Sequence, residues 1–340
     1  MNTKIFGGLY LLVLIAGSGS LALEHSASAQ LSTSNSDTKK TDPQKTRVVD
    51  KSQNVKAKET AKQTSDAREA KPAKTAGLNY TMPRKDKASD ILSAIINIEG
   101  KKETVNIQLS RVLFKVNPHY DRDGEVTSLD MTLRPEMYDL YKKIGFAEKS
   151  KKTVFVYPIF TQAAYDNNGF YDYYKKRCDT KCLTLNIPTK FQNTYTASGT
   201  AGLVLKLLNY SHITDIEVDK NPDILKKYDK IIILHNEYVT KKEFDAITHH
   251  PNVVYLYPNA LYAEVKTDYN KNTIILVRGH GYPSINMANG FGWKYDNSKL
   301  EYDVKCENWK FYKIGNGKML NCYPEIAIAS DQLLLGAIKN

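Results

Sequence analysis

The sequence predicts an α/β protein: a parallel sheet with helices on both faces, extended at its C-terminal end by β-rich segments. Three observations carry this. Beyond residue 150, short apolar runs alternate with helix-like stretches: Thr153–Ile159, Leu183–Ile187, Ile231–Leu234 and Val253–Tyr257. Most of these runs are near-continuous Val, Ile and Leu, as strands buried on both faces require. After residue 260 the pattern changes to two hairpins, residues 262–279 turning at Tyr269-Asn270-Lys271-Asn272 and residues 301–322 turning at Asn316-Gly317.

The N-terminal part is of another kind. Residues 1–29 read as a secretory signal: Lys4 precedes an apolar run from Ile5 to Ala16, and Ala27-Ser28-Ala29 offers a small-residue cleavage site. A retained anchor is the alternative, since weak hydrophobicity continues to Leu23. Residues 30–78 contain no aromatic residue, and their eleven basic and six acidic side chains account for +5 of the chain's formal +11. Such a segment buries too little apolar surface to offset the entropy of ordering, so it reads as a disordered tether. With nearly half of the charge there and not on a folded face, no nucleic-acid partner is expected. Association with a membrane or cell surface through this segment remains open. The chain is therefore expected to be secreted or held at the cell surface, outside the cytoplasm.

Residues 79–150 form a small mixed α/β region expected to pack on the core. Val105, Ile107 and Leu109, then Val112, Phe114 and Val116, alternate as half-buried strands do, Asp121 to Gly124 suits a turn, and Pro135–Ile144 a short helix. Residues 151–340 hold the α/β domain and its hairpins. Within it Gly169–Lys176 and Gly202–Leu208 read as helices, Ile216–Val218 as a minor strand, and Asn221-Pro222 as a helix start. Thr240-Lys241-Lys242-Glu243 has capping-box spacing.

The four cysteines lie beyond the tether, and an even count in an exported chain points to disulfides. Nearest-neighbour pairing joins Cys178 to Cys182 and Cys306 to Cys322; zinc is disfavoured because neither spacing is C-x2-C. Asn79-Tyr80-Thr81 and Asn209-Tyr210-Ser211 fit the N-glycosylation pattern.

In open α/β sheets ligands gather at the carboxyl ends of parallel strands. Three polar clusters take such positions: Thr161 to Asn167, His235-Asn236-Glu237-Tyr238, and Pro258-Asn259. Ser198, in Thr196 to Gly202, reads as a helix cap, and His280 in Gly279-His280-Gly281 as a loop residue without a partner.

These residues resemble the C-terminal domain of the N,N-dimethylformamidase large (beta) subunit, over about residues 150–305. The likeness rests on Thr161 to Asn167 with Gly169 and Tyr171, and on Asp219 to Phe244, which contains His235, Glu237 and Tyr238. It implies a flavodoxin-like or class I glutamine amidotransferase-like fold and a metal-dependent hydrolase of C–N bonds in small amides. It further implies iron held by tyrosine and glutamate oxygens: Tyr238, with Tyr195 or Tyr165 as second phenolate and Glu301 as carboxylate. His235 or Glu237 then serves as general base. Val239 stands where the family has an aromatic residue, and Asp166 where it has Asn. The alternative is a non-catalytic cell-surface binding protein of the same fold, taking an envelope component and not an amide. On that reading Tyr238 is a packing residue, His235 a backbone partner and Glu237 a helix-start acid.

Overall fold

Alternation along the central strands decides the architecture. In a computed structural model of the chain, Phe155, Tyr157, Ile232, Leu234, Val254 and Leu256 enter one buried cluster, while Val154, Val156, Ile231, Ile233, Val253 and Tyr255 enter another on the opposite face. Successive side chains leave a strand on opposite sides, so a run that is apolar throughout needs both faces covered.

The structure describes residues 91–98, 101–120, 126–147, 152–192 and 197–340, with backbone alone for 91–105 and 118–129 within those spans. The expected signal, the tether, the turn at Asp121 to Gly124 and Tyr195 lie outside the described residues. Two hairpins come first: β1 (Ile91–Ile98) with β2 (Lys101–Gln108), and β3 (Phe114–Tyr120) with β4 (Val126–Leu133). Helix α1 (Tyr138–Ile144) follows a short 3₁₀ turn at Pro135–Met137.

The main sheet takes β5 (Thr153–Tyr157), β7 (Ser211–Thr214), β8 (Lys230–Ile233), β10 (Val253–Tyr255), β13 (Phe311–Ile314) and β14 (Gly317–Leu320). Its order is β13-β14-β10-β8-β5-β7, parallel except for β13. A second sheet has the order β6-β12-β11-β9, from β6 (Thr184–Asn186), β9 (Tyr238–Thr240), β11 (Ala263–Asp268) and β12 (Thr273–Arg278). Between strands run α2 (Ile159–Tyr165), α3 (Phe170–Tyr174), α4 (Gly199–Leu207), α5 (Asp215–Lys220) and α6 (Lys241–His249), and the described chain ends in α7 (Gln332–Lys339). The fold is thus mixed α/β with one mainly parallel and one mixed sheet.

Four local readings change. Ile216–Val218 is not a strand: Thr214 and Glu217 close a capping box, so the chain turns helical at Asp215 and the strand lies earlier, at Ser211–Thr214. Asn221 makes no side-chain cap, and Pro222–Lys227 is a 3₁₀ turn. Thr161 to Tyr165 lie in α2, which starts two residues after β5 ends. The C-terminal segment closes with helix α7, whose first turn is capped by the Asp331 carboxylate accepting from Leu333 N and Leu334 N.

The capping box at Thr240 forms as its spacing predicts, and Thr240 Oγ1 also donates to Asp219 Oδ1 at 2.7 Å. Thr240→Val removes the cap and leaves a buried carboxylate short of a donor. It is expected to lower stability by about 1–2 kcal/mol in urea unfolding; an unchanged midpoint would show that neither bond matters.

Cys178 pairs with Cys182 and Cys306 with Cys322, and among the described residues no cysteine is free. Disulfides of this kind fit an oxidising, non-cytoplasmic environment. Among the described residues no helix is long and apolar enough to cross a membrane.

Candidate functional site

The chain leaves the main sheet at Ile233 and joins the second sheet at Tyr238, and the four residues between them cross from one to the other. Their backbone is pinned at nearly every step. His235 N donates to Ser198 Oγ at 2.7 Å, and Glu237 N and Tyr238 N both donate to Thr161 Oγ1, at 3.0 and 3.1 Å. Leu261 N donates to Asn236 O, while Tyr262 N and Ala263 N share Glu237 O. A polar segment buried this deeply persists because these backbone donors and acceptors are matched.

Glu237 is the hub. Its side chain is fully buried, yet three groups meet on its carboxylate, two of them from distant parts of the chain. Tyr165 Oη, at the end of α2, donates to Oε2 at 2.7 Å. His235 Nε2 stands 3.1 Å from the same oxygen, and His280 Nε2 bonds Oε1. Burial alone would push this acid up, but the imidazoles of His280 and His235 overcome it and hold the carboxyl down at about 2. His280 arrives on a loop after β12 in which Gly279, His280 and Gly281 have φ of 123°, 49° and 75°. Three successive left-handed residues turn the chain tightly, and the two glycines carry the conformations a side chain would resist. The His280 ring lies against Tyr262, Tyr174 and Tyr238, with centroids 4.4, 4.9 and 5.4 Å away.

A second carboxyl, Glu301, joins through Asn259, whose Nδ2 lies 2.7 Å from Glu301 Oε2 and 2.7 Å from His235 Nε2. Burial and then the charge of Glu237 push Glu301 up to about 7, against a bond from the Tyr302 hydroxyl. Tyr323 Oη lies 3.2 Å from His235 Nδ1, and the Tyr257 ring stacks on the imidazole at 5.5 Å. Tyr257 in turn donates to Glu325, which also accepts from Thr200 N and Ala201 N at the start of α4. The two acids adjoining the crossover thus differ widely in proton affinity, an arrangement suited to acid–base work.

Of the residues the sequence singled out, Tyr165, His235, Glu237, Tyr238 and Glu301 converge here. Tyr238 stands at the start of β9 with its ring against Phe170 and His280. Its buried hydroxyl has no hydrogen-bond partner among the described residues. The same holds for Tyr171 Oη, Asn259 Oδ1 and both side-chain atoms of Asn236, so such groups collect around one crossover. Tyr165, Tyr171 and Tyr238 are all held neutral, by burial first and then by the charges of Glu237 and Glu301 or of one another. No three imidazole, thiol or carboxylate side chains among the described residues form a metal-binding group; the oxygen set at this crossover adds phenols to them.

Two expectations fail. His280 is not a loop residue without a partner, because the Gly279 to Gly281 turn drives its Nε2 onto Glu237. Ser198 does not cap α4: at φ 60° its hydroxyl accepts from His235 N, and Glu325 takes over the helix start. Tyr323 carried no site signal of its own in the sequence, Asn259 was marked only by its position after a strand, and Tyr171 only as part of the family resemblance. No family model matches the chain, and no curated protein matches it.

Proposed function

We propose that this chain is an exported, metal-dependent hydrolase of C–N bonds in small amides, resembling N,N-dimethylformamidase. The observation that carries the reading is the meeting of Tyr165, His235 and His280 on the ionised Glu237 carboxylate, next to Glu301, at the carboxyl ends of parallel strands. Numbered in chain order, the five parallel strands run second, first, third, fourth, fifth across the sheet, which supports a flavodoxin-like topology of the amidotransferase kind. The order reverses between β5 and β8. Tyr165 follows the first of these and His235 and Glu237 the second, where ligands of doubly wound folds sit.

The donor set fits iron. Buried phenols and carboxylates are hard oxygen ligands, and the unpartnered Tyr238 hydroxyl is a buried polar atom that a bound ion would satisfy. Tyr165, Tyr238 and Glu301 would hold it, with Glu237 as the carboxylate already bonded to Tyr165. Iron there would polarise the amide carbonyl and acidify bound water. The chain's own groups supply the proton traffic. Glu237 orients both imidazoles, and His280, whose side chain is 12% exposed, is the more accessible of the two. With His280 Nε2 held by Glu237, its other ring nitrogen, Nδ1, hands a proton to the departing amine nitrogen, while His235 is clamped by Tyr323 and Asn259 as the inner base. Water and amide give carboxylic acid and amine.

Elemental analysis of the purified protein tests this, beside Tyr165→Phe and Tyr238→Phe. Roughly one iron per chain, a phenolate charge-transfer band and amine release from small amides are expected, with both variants losing metal and band. Wild-type protein without iron or hydrolysis would overturn the reading and leave a surface binding protein.

A further inference from the structure

Asn209 stands at an exposed turn between α4 and β7. Its N–H donates to Lys206 O and that of Tyr210 to Leu205 O, both at 3.1 Å, and Asn209 has φ 66°. This is a Schellman ending, with Asn in the left-handed position that Gly fills at lower strain. Tyr210 is 6% exposed and anchors the turn, leaving Asn209 and Ser211 exposed on either side of it. The Asn209 side chain makes no hydrogen bond among the described residues. Asn-x-Ser at an open turn, in a chain whose cysteines are all paired, is what an N-glycosylation acceptor requires. A second observation gives the sugar a role: among the described residues β7 pairs with β5 alone and forms one edge of the main sheet. An open edge is a template for pairing with other chains.

We propose that Asn209 is an acceptor for N-linked oligosaccharide and that the glycan shields the β7 edge. Asn209 Nδ2 forms a bond to the sugar C1 of a polyisoprenyl-phosphate-linked oligosaccharide. The bond from C1 to the carrier's phosphate oxygen breaks, the carrier phosphate leaves with that electron pair, and the amide gives up one proton. Ser211 supplies the hydroxyl by which such donors' transferases recognise the acceptor.

The test is peptide mass spectrometry of the full chain recovered from the cells that produce it, with Asn209→Gln, Ser211→Ala and Ser211→Thr beside wild type. Wild type and Ser211→Thr should carry one oligosaccharide on Asn209, and the other two none there; Ser211→Ala keeps the turn's Asn, so its loss of sugar is not a folding effect. The unglycosylated pair should aggregate several-fold faster. An unmodified Asn209 in exported protein with both disulfides closed overturns the proposal, whether or not Asn79, the other Asn-x-Ser/Thr site, is modified. Equal aggregation overturns the shielding role.

Discussion

If the proposed hydrolase reading holds, Glu237→Ala is expected to abolish amide hydrolysis, and it is expected to cost the fold about 3–5 kcal/mol. Three donors converge on that carboxylate, and it is the acid held furthest toward ionisation at the site. Truncating one partner of a buried charged network leaves the others desolvated without compensation. Activity falls by at least the roughly 10²–10⁴-fold that a positioned acid–base group contributes, because His280 and His235 lose their common orienter together. Glu237→Gln separates folding from function. It keeps the shape and one acceptor but turns an amide NH2 toward the partners of the other oxygen, so it should cost clearly less stability than Glu237→Ala, while the imidazoles lose their counter-charge and turnover collapses. Near-wild-type amine release by a folded, iron-loaded Glu237→Gln would remove this residue from the mechanism.

Stability is expected to be highest on the acid side and to decline as pH rises from about 5 to about 8. Burial, only partly offset by bonds from Tyr257, Thr200 and Ala201, pushes Glu325 up to about 7. An acid whose folded value lies above its unfolded value of about 4.3 binds a proton more tightly in the native state. Its contribution is complete below the unfolded value and is lost as pH climbs through the folded one, on the order of 3 kcal/mol. Asp215 and Glu243 act in the same direction. Burial raises both; the bonds to Asp215 from Phe160 N and Ile216 N oppose this, and the charge of Asp215 adds to it at Glu243. Asp219 faces both acids and is itself satisfied by Thr240, Thr267 and Tyr269. Glu237 has the opposite sign: its contribution is present above the ordinary carboxyl range and fades only as pH falls toward about 2. Urea midpoints should therefore be higher at pH 5 than at pH 8, and Glu325→Gln should flatten the slope. A midpoint that rises over this range refutes the prediction, and an unaltered slope in the variant removes Glu325 from it.

Legibility followed sequence distance. Ile231–Ile233 and Val253–Tyr255 announce buried strands because both faces demand apolar side chains. Thr240 with Glu243 and the two nearest-neighbour cysteine pairs are local grammar, and they formed as read. The Ile216 error arose where two local signals compete, and the Thr214 box won over a short apolar pair. Other losses were long-range. His280 meets Glu237 across 43 residues and Glu325 reaches Thr200 across 125, and no spacing rule links such positions. Ser198 has the residue type of a helix cap, but its positive φ turns the hydroxyl toward another strand's end. Tyr165, His235, Glu237, Tyr238 and Glu301 could be nominated from strand-end position and family likeness; that Glu237 is their centre could not.

The Cys306–Cys322 bond encloses β13 and β14, and site residues bracket that ring: Glu301 lies ahead of it and Tyr323 directly follows. Tyr323 N donates to Asp303 O, and Cys306 N to Asp303 Oδ1, so both flanks lean on one residue. The bond is thus a covalent tie between the two flanks that touch Asn259 and His235. With that pair reduced, Glu301 and Tyr323 are expected to be held less firmly, so the geometry of the crossover depends on the oxidising surroundings in which such bonds persist.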